Sequence, residues 1–180
     1  MSQEIKLSTP FQEEDVLKLR TGDKVLLSGR IYAARDAAHK RLLQDLDQGM
    51  EAPFNLQGAV LYYVGPTPAP PGRVIGSAGP TTSSRMDAYT PRMHALGIKA
   101  TIGKGRRSEE VKRVLREQKA VYLGATGGAG ALLSRCITGS RVLAYQDLGT
   151  EAIRELEVQD FPLLVVNDAY GGELYATARL

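Results

Sequence analysis

The sequence predicts an α/β fold in which a strand-rich first half packs with a largely parallel α/β second half. Two observations carry this expectation: β-rich runs alternate with helical patterns, and three runs in the second half end in glycine turns from which a helix begins. Size and make-up agree. A chain of 180 residues, 43% hydrophobic and 24% charged, has the composition of a globular protein and is long enough to bury a core as one domain over residues 1–180.

Taken in order, Lys24 to Ala34 is rich in β-formers and reads as one or two strands bent near Gly29. Asp36 then opens a helix with Ala38, Leu42, Leu43 and Leu46 on one face and Gly49 as its stop. Residues 57–64 read as a buried strand, and the prolines of GPTPAPPG (65–72) as a stiff surface turn. A short strand is expected over 73–77. Beyond Gly79–Pro80–Thr81–Thr82, a helix carries Met86, Tyr89, Met93 and Leu96 inward and stops at Gly97. Lys99 to Ile102 is the next strand, followed by Gly103–Lys104–Gly105 and a helix capped by Ser108, with Glu109 and Glu110 in its first turn. Ala120 to Leu123 leads into GATGGAG (124–130) and a short helix. Strands over 141–145, 163–167 and 174–176 complete the set.

Several function classes are excluded or disfavoured by composition. The N-terminus lacks the basic-then-apolar layout of a signal peptide, and no apolar run is long enough to cross a bilayer, so a cytoplasmic location without membrane contact is the expectation. Net charge is only +3, the basic residues are dispersed and there is no Trp, a poor match to a nucleic-acid surface. One cysteine, Cys136, can neither form an intrachain disulfide nor hold an iron–sulfur cluster, and His39 and His94 have no companions at metal-ligand spacing. Any metal the protein works with must come from another chain.

The anion-binding signals lie in the loops. At a strand-to-helix turn, free backbone N–H groups and the helix dipole favour negative charge. The segment 79–85 adds four consecutive hydroxyls, Thr81 to Ser84, and Arg85. Gly103–Lys104–Gly105 sets an ammonium between two glycines. Each has a plain structural alternative: Thr81 or Thr82 as an N-cap, Arg85 as a surface charge, and Lys104 with Arg106 and Arg107 as a basic turn. Arg35 stands where a strand meets a helix, Asp36 reads as an N-cap, and His39 one turn later reads as bonding back to it. GATGGAG does not fit GxGxxG, IGKG lacks the glycine spacing and following Ser or Thr of a P-loop, and Cys136, beside Leu132 and Leu133, reads as core.

Read together, SGRIYAARDAAHKRL, SAGPTTSSRMDAY, IGKG, GGAGALL, LGTEAI and DFPLLVVND resemble the β subunit, or C-terminal domain, of class I fumarases and the related tartrate dehydratases, over nearly the whole chain. GPTT followed by SRMD, with IGKG some twenty residues on, is the most specific part. The resemblance implies a swivelling β/β/α domain. Its partner would be an α subunit, in an α2β2 assembly, that holds a [4Fe–4S] cluster through three cysteines, and this chain itself would bind no metal. The implied reaction is the reversible hydration of a dicarboxylate, fumarate to malate. Carried over by motif, Thr81 would be the catalytic base, and Arg35, Thr82, Arg85 and Lys104 would bind substrate.

A threonine hydroxyl is a poor base by its ordinary pKa, so that assignment comes from the resemblance alone. The three cations follow also from the residues, since fixed positive charge suits a substrate with two carboxylates. Two alternatives remain open: a tartrate or methylfumarate dehydratase β subunit, and a stand-alone anion-binding module with no chemistry of its own.

Overall fold

The computed structural model describes residues 4–125 and 129–177. Seven strands form one sheet: β1 (Glu4–Ser8), β2 (Lys24–Ala33), β3 (Val60–Tyr62), β4 (Ala100–Gly103), β5 (Val121–Gly124), β6 (Ile137–Ala144) and β7 (Ile153–Asn167). β1 through β5 run parallel in sequence order, and β7 is antiparallel to β5, β6 and β2. The pairings β2–β3–β4–β5–β7–β2 therefore close into a ring. Closure leaves the inner strands no free edge, which removes the hazard of unpaired backbone.

Strand alternation decides what lies inside the ring. Val25, Leu27 and Ile31 of β2, Val60 and Tyr62 of β3, Ile102, Val121, Leu123, Phe161 and Val165 share one buried cluster. The intervening residues face outward and are covered by helices. Leu61 and Tyr63 pack with Leu42 and Leu43 of α2 (Asp36–Asp47) and Met93 of α3 (Thr90–Ala95). Tyr122 and Val166 pack with Val111 and Leu115 of α4 (Glu109–Glu117). Each such large side chain contributes roughly 1.5–3 kcal/mol by leaving water.

The α/β class holds, but the division into halves does not. The early strands belong to the same sheet as the later ones, because β7 pairs with β2 along most of its length. The bend near Gly29 is a bulge: Leu27 faces Phe161 while Gly29 faces Val158, so β7 carries the extra residue, with Asp160 at φ 48°.

Four other expectations change. Residues 73–77 form no strand. Prolines at 66, 68, 70 and 71 withhold donors, and the loop instead closes on itself through Thr67, whose backbone and hydroxyl bond Gly76 and Ser77. The helix expected after Thr82 is split into a 3-10 turn (Ser83–Met86) and α3, because Pro91 cannot donate within a continuous helix. Residues 174–176 lie in α6 (Leu174–Thr177) rather than a strand. Strand β7 starts ten residues earlier than expected, since Pro162 sits at an exposed strand position that a single-sequence reading treats as a break.

Two remaining helices, α1 (Glu13–Leu17) and α5 (Gly130–Ser134), complete the fold together with a second 3-10 turn over 146–151.

Candidate functional site

Because β2 to β5 are parallel, their carboxyl ends emerge at one edge of the sheet, where ligands of open α/β sheets also gather. The five candidate site residues, Arg35, Thr81, Thr82, Arg85 and Lys104, lie on segments that leave this edge or dock onto it. Arg35 follows β2 and stands at the N-cap of α2 with extended backbone. Its side chain crosses Gly65, just beyond β3: a Cβ on Gly65 would come within 2.6 Å of Arg35 Nη1. Arg35 Nε lies 3.8 Å from a Glu151 carboxylate oxygen, too far for a hydrogen bond, and is buried without one.

The 79–85 loop does not follow a strand directly, as expected, but is stitched between two strand ends. Thr81 N donates to Tyr63 O at 2.8 Å, beyond β3. Thr82 forms a parallel bridge with Lys104, beyond β4, in which Ser83 N donates to Lys104 O (2.9 Å) and Lys104 N to Thr81 O (3.3 Å). So Thr81, Thr82 and Lys104 are fixed neighbours through their backbones. Their side chains are unengaged: among the described residues, neither threonine hydroxyl makes a hydrogen bond and no carboxylate pairs with Lys104. Thr82 precedes the 3-10 turn but makes no side-chain cap, so the capping alternative is not met.

Arg85 is half-exposed and is held by Asp36, whose Oδ2 accepts from Nε at 2.9 Å and lies 2.9 Å from Nη2 in an ion pair. This pair joins the start of α2 to the 79–85 loop, so Arg35 and Arg85 sit on tethered segments. Asp36 is thus the first residue of α2 rather than its cap. His39 bonds the Arg35 carbonyl, not Asp36: Nδ1 is 2.8 Å from that oxygen. A carbonyl can only accept, so Nδ1 carries the proton. The ring is buried against Tyr63 and Tyr89, and burial pushes its pKa down to about 4. It is a neutral structural residue.

Beneath the loops is a polar network that the sequence reading missed. Arg107, which the spacing presents as one of three basic turn residues, is buried. Its guanidinium donates to Asp87 (2.7 Å), Thr90 Oγ1 (2.7 Å), Thr101 Oγ1 (3.0 Å) and Tyr63 OH (3.3 Å), and lies over the rings of Tyr63 and Tyr122. Asp87 also accepts from Ser108 N. The one available signal was Thr101, a polar residue inside an otherwise apolar strand, which demands a partner on the outer face.

The residues that could hold a metal do not fit one. No group of three or more His, Cys, Asp or Glu converges among the described residues, Cys136 is alone, and both imidazoles are buried. An iron–sulfur cluster needs several thiolates, so this chain's own residues do not match that group. Within the GATGGAG loop, residues 126–128 lie outside the described residues. Gly130 packs on Gly79, with Ala78 N bonded to Gly130 O at 3.2 Å, which brings the start of α5 to the same edge.

A model of the fumarase C-terminus matches residues 1–178. The chain belongs to the fumarase C-terminus family. Among curated relatives, it is 34% identical over 179 residues to fumarate hydratase 2 of Leishmania major, covering 97% of this chain and 32% of that protein. It is 33% identical over 180 residues to the aerobic class I fumarate hydratase of Escherichia coli, covering 98% and 33%. To the putative L(+)-tartrate dehydratase subunit beta of Methanocaldococcus jannaschii it is 38% identical over 169 residues, covering 91% of this chain and 87% of that subunit. The chain thus spans about one third of the length of these fumarate hydratases. The matched stretch spans all seven strands, including the closing strand β7.

Proposed function

We propose that this chain is the β component of a two-part hydro-lyase that adds water reversibly across the double bond of a small dicarboxylate, with fumarate and malate as the first pair to test. The observation that carries this reading is the trio Thr81, Thr82 and Lys104, locked together by backbone bonds at one sheet edge with their polar side-chain ends unengaged among the described residues. Lys104 offers a compact charge to one carboxylate. Arg35 and Arg85, on tethered neighbouring segments, offer planar donors to a substrate with two.

Thr81 Oγ, in this proposal, exchanges the proton on the carbon next to a carboxylate. Removing that proton builds negative charge on the carboxylate, and fixed cations stabilise it without reorganising. The same cations favour the ionised form of a nearby hydroxyl, which supports a threonine in a role its ordinary pKa disfavours. Thr82 adds a second hydroxyl to the carboxylate. No residue of this chain is assigned to the hydroxyl group that leaves or enters. The [4Fe–4S] cluster belongs, in this reading, to an α partner in an α2β2 assembly.

An anaerobic assay following the ultraviolet absorbance of fumarate, with this chain, a cluster-bearing partner, and both together, tests the proposal. Turnover only in the mixture is the expected result. No turnover of any dicarboxylate, with the cluster intact, would favour the anion-binding module. A specific observation favours a second substrate: the tartrate dehydratase subunit is matched over nearly its full length and at higher identity than these fumarate hydratases. L-tartrate therefore belongs in the same assay, and faster tartrate turnover would reassign the substrate while leaving the site unchanged.

A further inference from the structure

The two loops that carry Thr81 and Lys104 are joined by more than backbone. Ser83 is fully buried, and its Oγ is 2.8 Å from the Tyr122 hydroxyl, which in turn is 2.8 Å from Gly105 O. The donor directions follow from the acceptor at the end. Gly105 O can only accept, so Tyr122 donates its single proton there, and Ser83 must donate to Tyr122. A continuous hydrogen-bonded chain thus runs from the Thr81–Thr82 loop, through a side chain of the central strand β5, to the far side of Lys104. It passes directly beneath Gly103, where a Cβ would overlap Ser83 Oγ. Lys104 is therefore held on both flanks: by the bridge to Thr82 and by Tyr122 on Gly105.

We propose that Ser83 and Tyr122 form a positioning clamp that sets the separation of the Thr81 hydroxyl and the Lys104 ammonium. The clamp touches no substrate and acts through the two loops. Its consequence for turnover rests on the hydro-lyase reading above; its consequence for loop geometry does not. Substrate must meet Thr81 and Lys104 together, so a clamp that loosens lowers the fraction of encounters with reactive geometry, which reduces kcat more than it raises KM.

The test uses Tyr122→Phe, which keeps the buried ring, and Ser83→Ala, which removes only one hydroxyl. Amide hydrogen exchange on the full chain reads the Ser83 and Lys104 N–H groups, both of which bridge the loops. In each variant these two amides are expected to exchange roughly ten-fold faster while the β2–β7 ladder is unchanged. In the assembled enzyme kcat is expected to fall about ten-fold with KM within about two-fold, and the double variant should be no worse than either single one. Unchanged exchange at both amides in both variants would overturn the clamp. So would faster exchange with unaltered kcat, or a drop in melting temperature with protection lost evenly across the sheet. If the wild-type assembly turns over no dicarboxylate, the hydro-lyase reading fails by itself, and the exchange arm still decides the clamp.

Discussion

Thr81 and Thr82 are adjacent hydroxyls with different settings: Thr81 is partly buried, and Thr82 is exposed beside Lys104. A base contributes to the rate rather than to affinity. Thr81→Ala is therefore expected to lower kcat about 10²–10⁴-fold with little change in KM, whereas Lys104→Ala should raise KM as well. Both lie on loops outside the core, so circular dichroism and melting should match the wild type. Turnover equal to the wild type in both variants, in the fumarate and tartrate assays, would remove them from the site.

The two histidines supply a prediction about acid. Burial pushes His39 and His94 down to about 4, whereas in the unfolded chain an imidazole titrates near 6.5. Between these values the unfolded state binds protons that the native state refuses. Their share of stability is complete above about pH 6.5 and is lost as the pH falls towards 4. The slope is about 1.4 kcal/mol per pH unit for each imidazole. Urea titrations from pH 7 to 4 should show it, and His39→Asn, which retains a donor for the Arg35 carbonyl, should make the slope shallower.

At the scale of elements, the site depends on two connections that sequence spacing could not reveal. One is the Asp36–Arg85 pair between α2 and the 79–85 loop; the other is the Arg107 network between β4, α3 and the start of α4. They differ in burial, and so in energy. Arg107→Met leaves Asp87 without its counter-ion and the Thr101 hydroxyl without a donor, and is expected to cost about 3–5 kcal/mol in urea unfolding. Arg113→Ala, which breaks the exposed i,i+4 pair with Glu117 on α4, should leave the unfolding midpoint within experimental error. Equal effects from the two would mean that Arg107 is not buried as described. Helix α4 itself was readable: Ser108 accepts from Val111 N at 3.2 Å, with Glu109 and Glu110 in the first turn. Helix α3 was not, because the apolar spacing of Met86, Tyr89, Met93 and Leu96 continues across a backbone that Pro91 interrupts.

For the whole molecule, closure of the sheet by β7 is the decisive feature. β7 satisfies β2 and β5 on opposite sides of the ring and also pairs with β6. Removing residues 153–180 would open all three strands at once and expose Ile31, Phe161's neighbour Tyr62, and Leu123 to water. Such a truncation is expected to yield aggregated chain with no cooperative melt, measured by size-exclusion chromatography and circular dichroism. A soluble truncated form with native β signal would show that the ring is not needed for folding.

Local chemistry in the sequence determined the α/β class, helices α2 and α4 and the glycine stops at Gly49 and Gly97, and it offered the cations Arg35, Arg85 and Lys104 as candidates, whereas the roles given to Thr81 and Thr82 came from the family resemblance. Periodicity, caps and turn glycines act over a few residues and can be read along one chain. Tertiary structure alone decided that the early strands join the late ones in one ring, and that Arg107 is a buried tie rather than a surface charge. It alone decided, too, that Ser83, of four consecutive hydroxyls, turns inward to Tyr122. Each depends on partners far apart in the chain, such as Leu27 with Phe161 or Ser83 with Tyr122. Which face of a strand or loop is buried is set by what packs against it, and that information is not local.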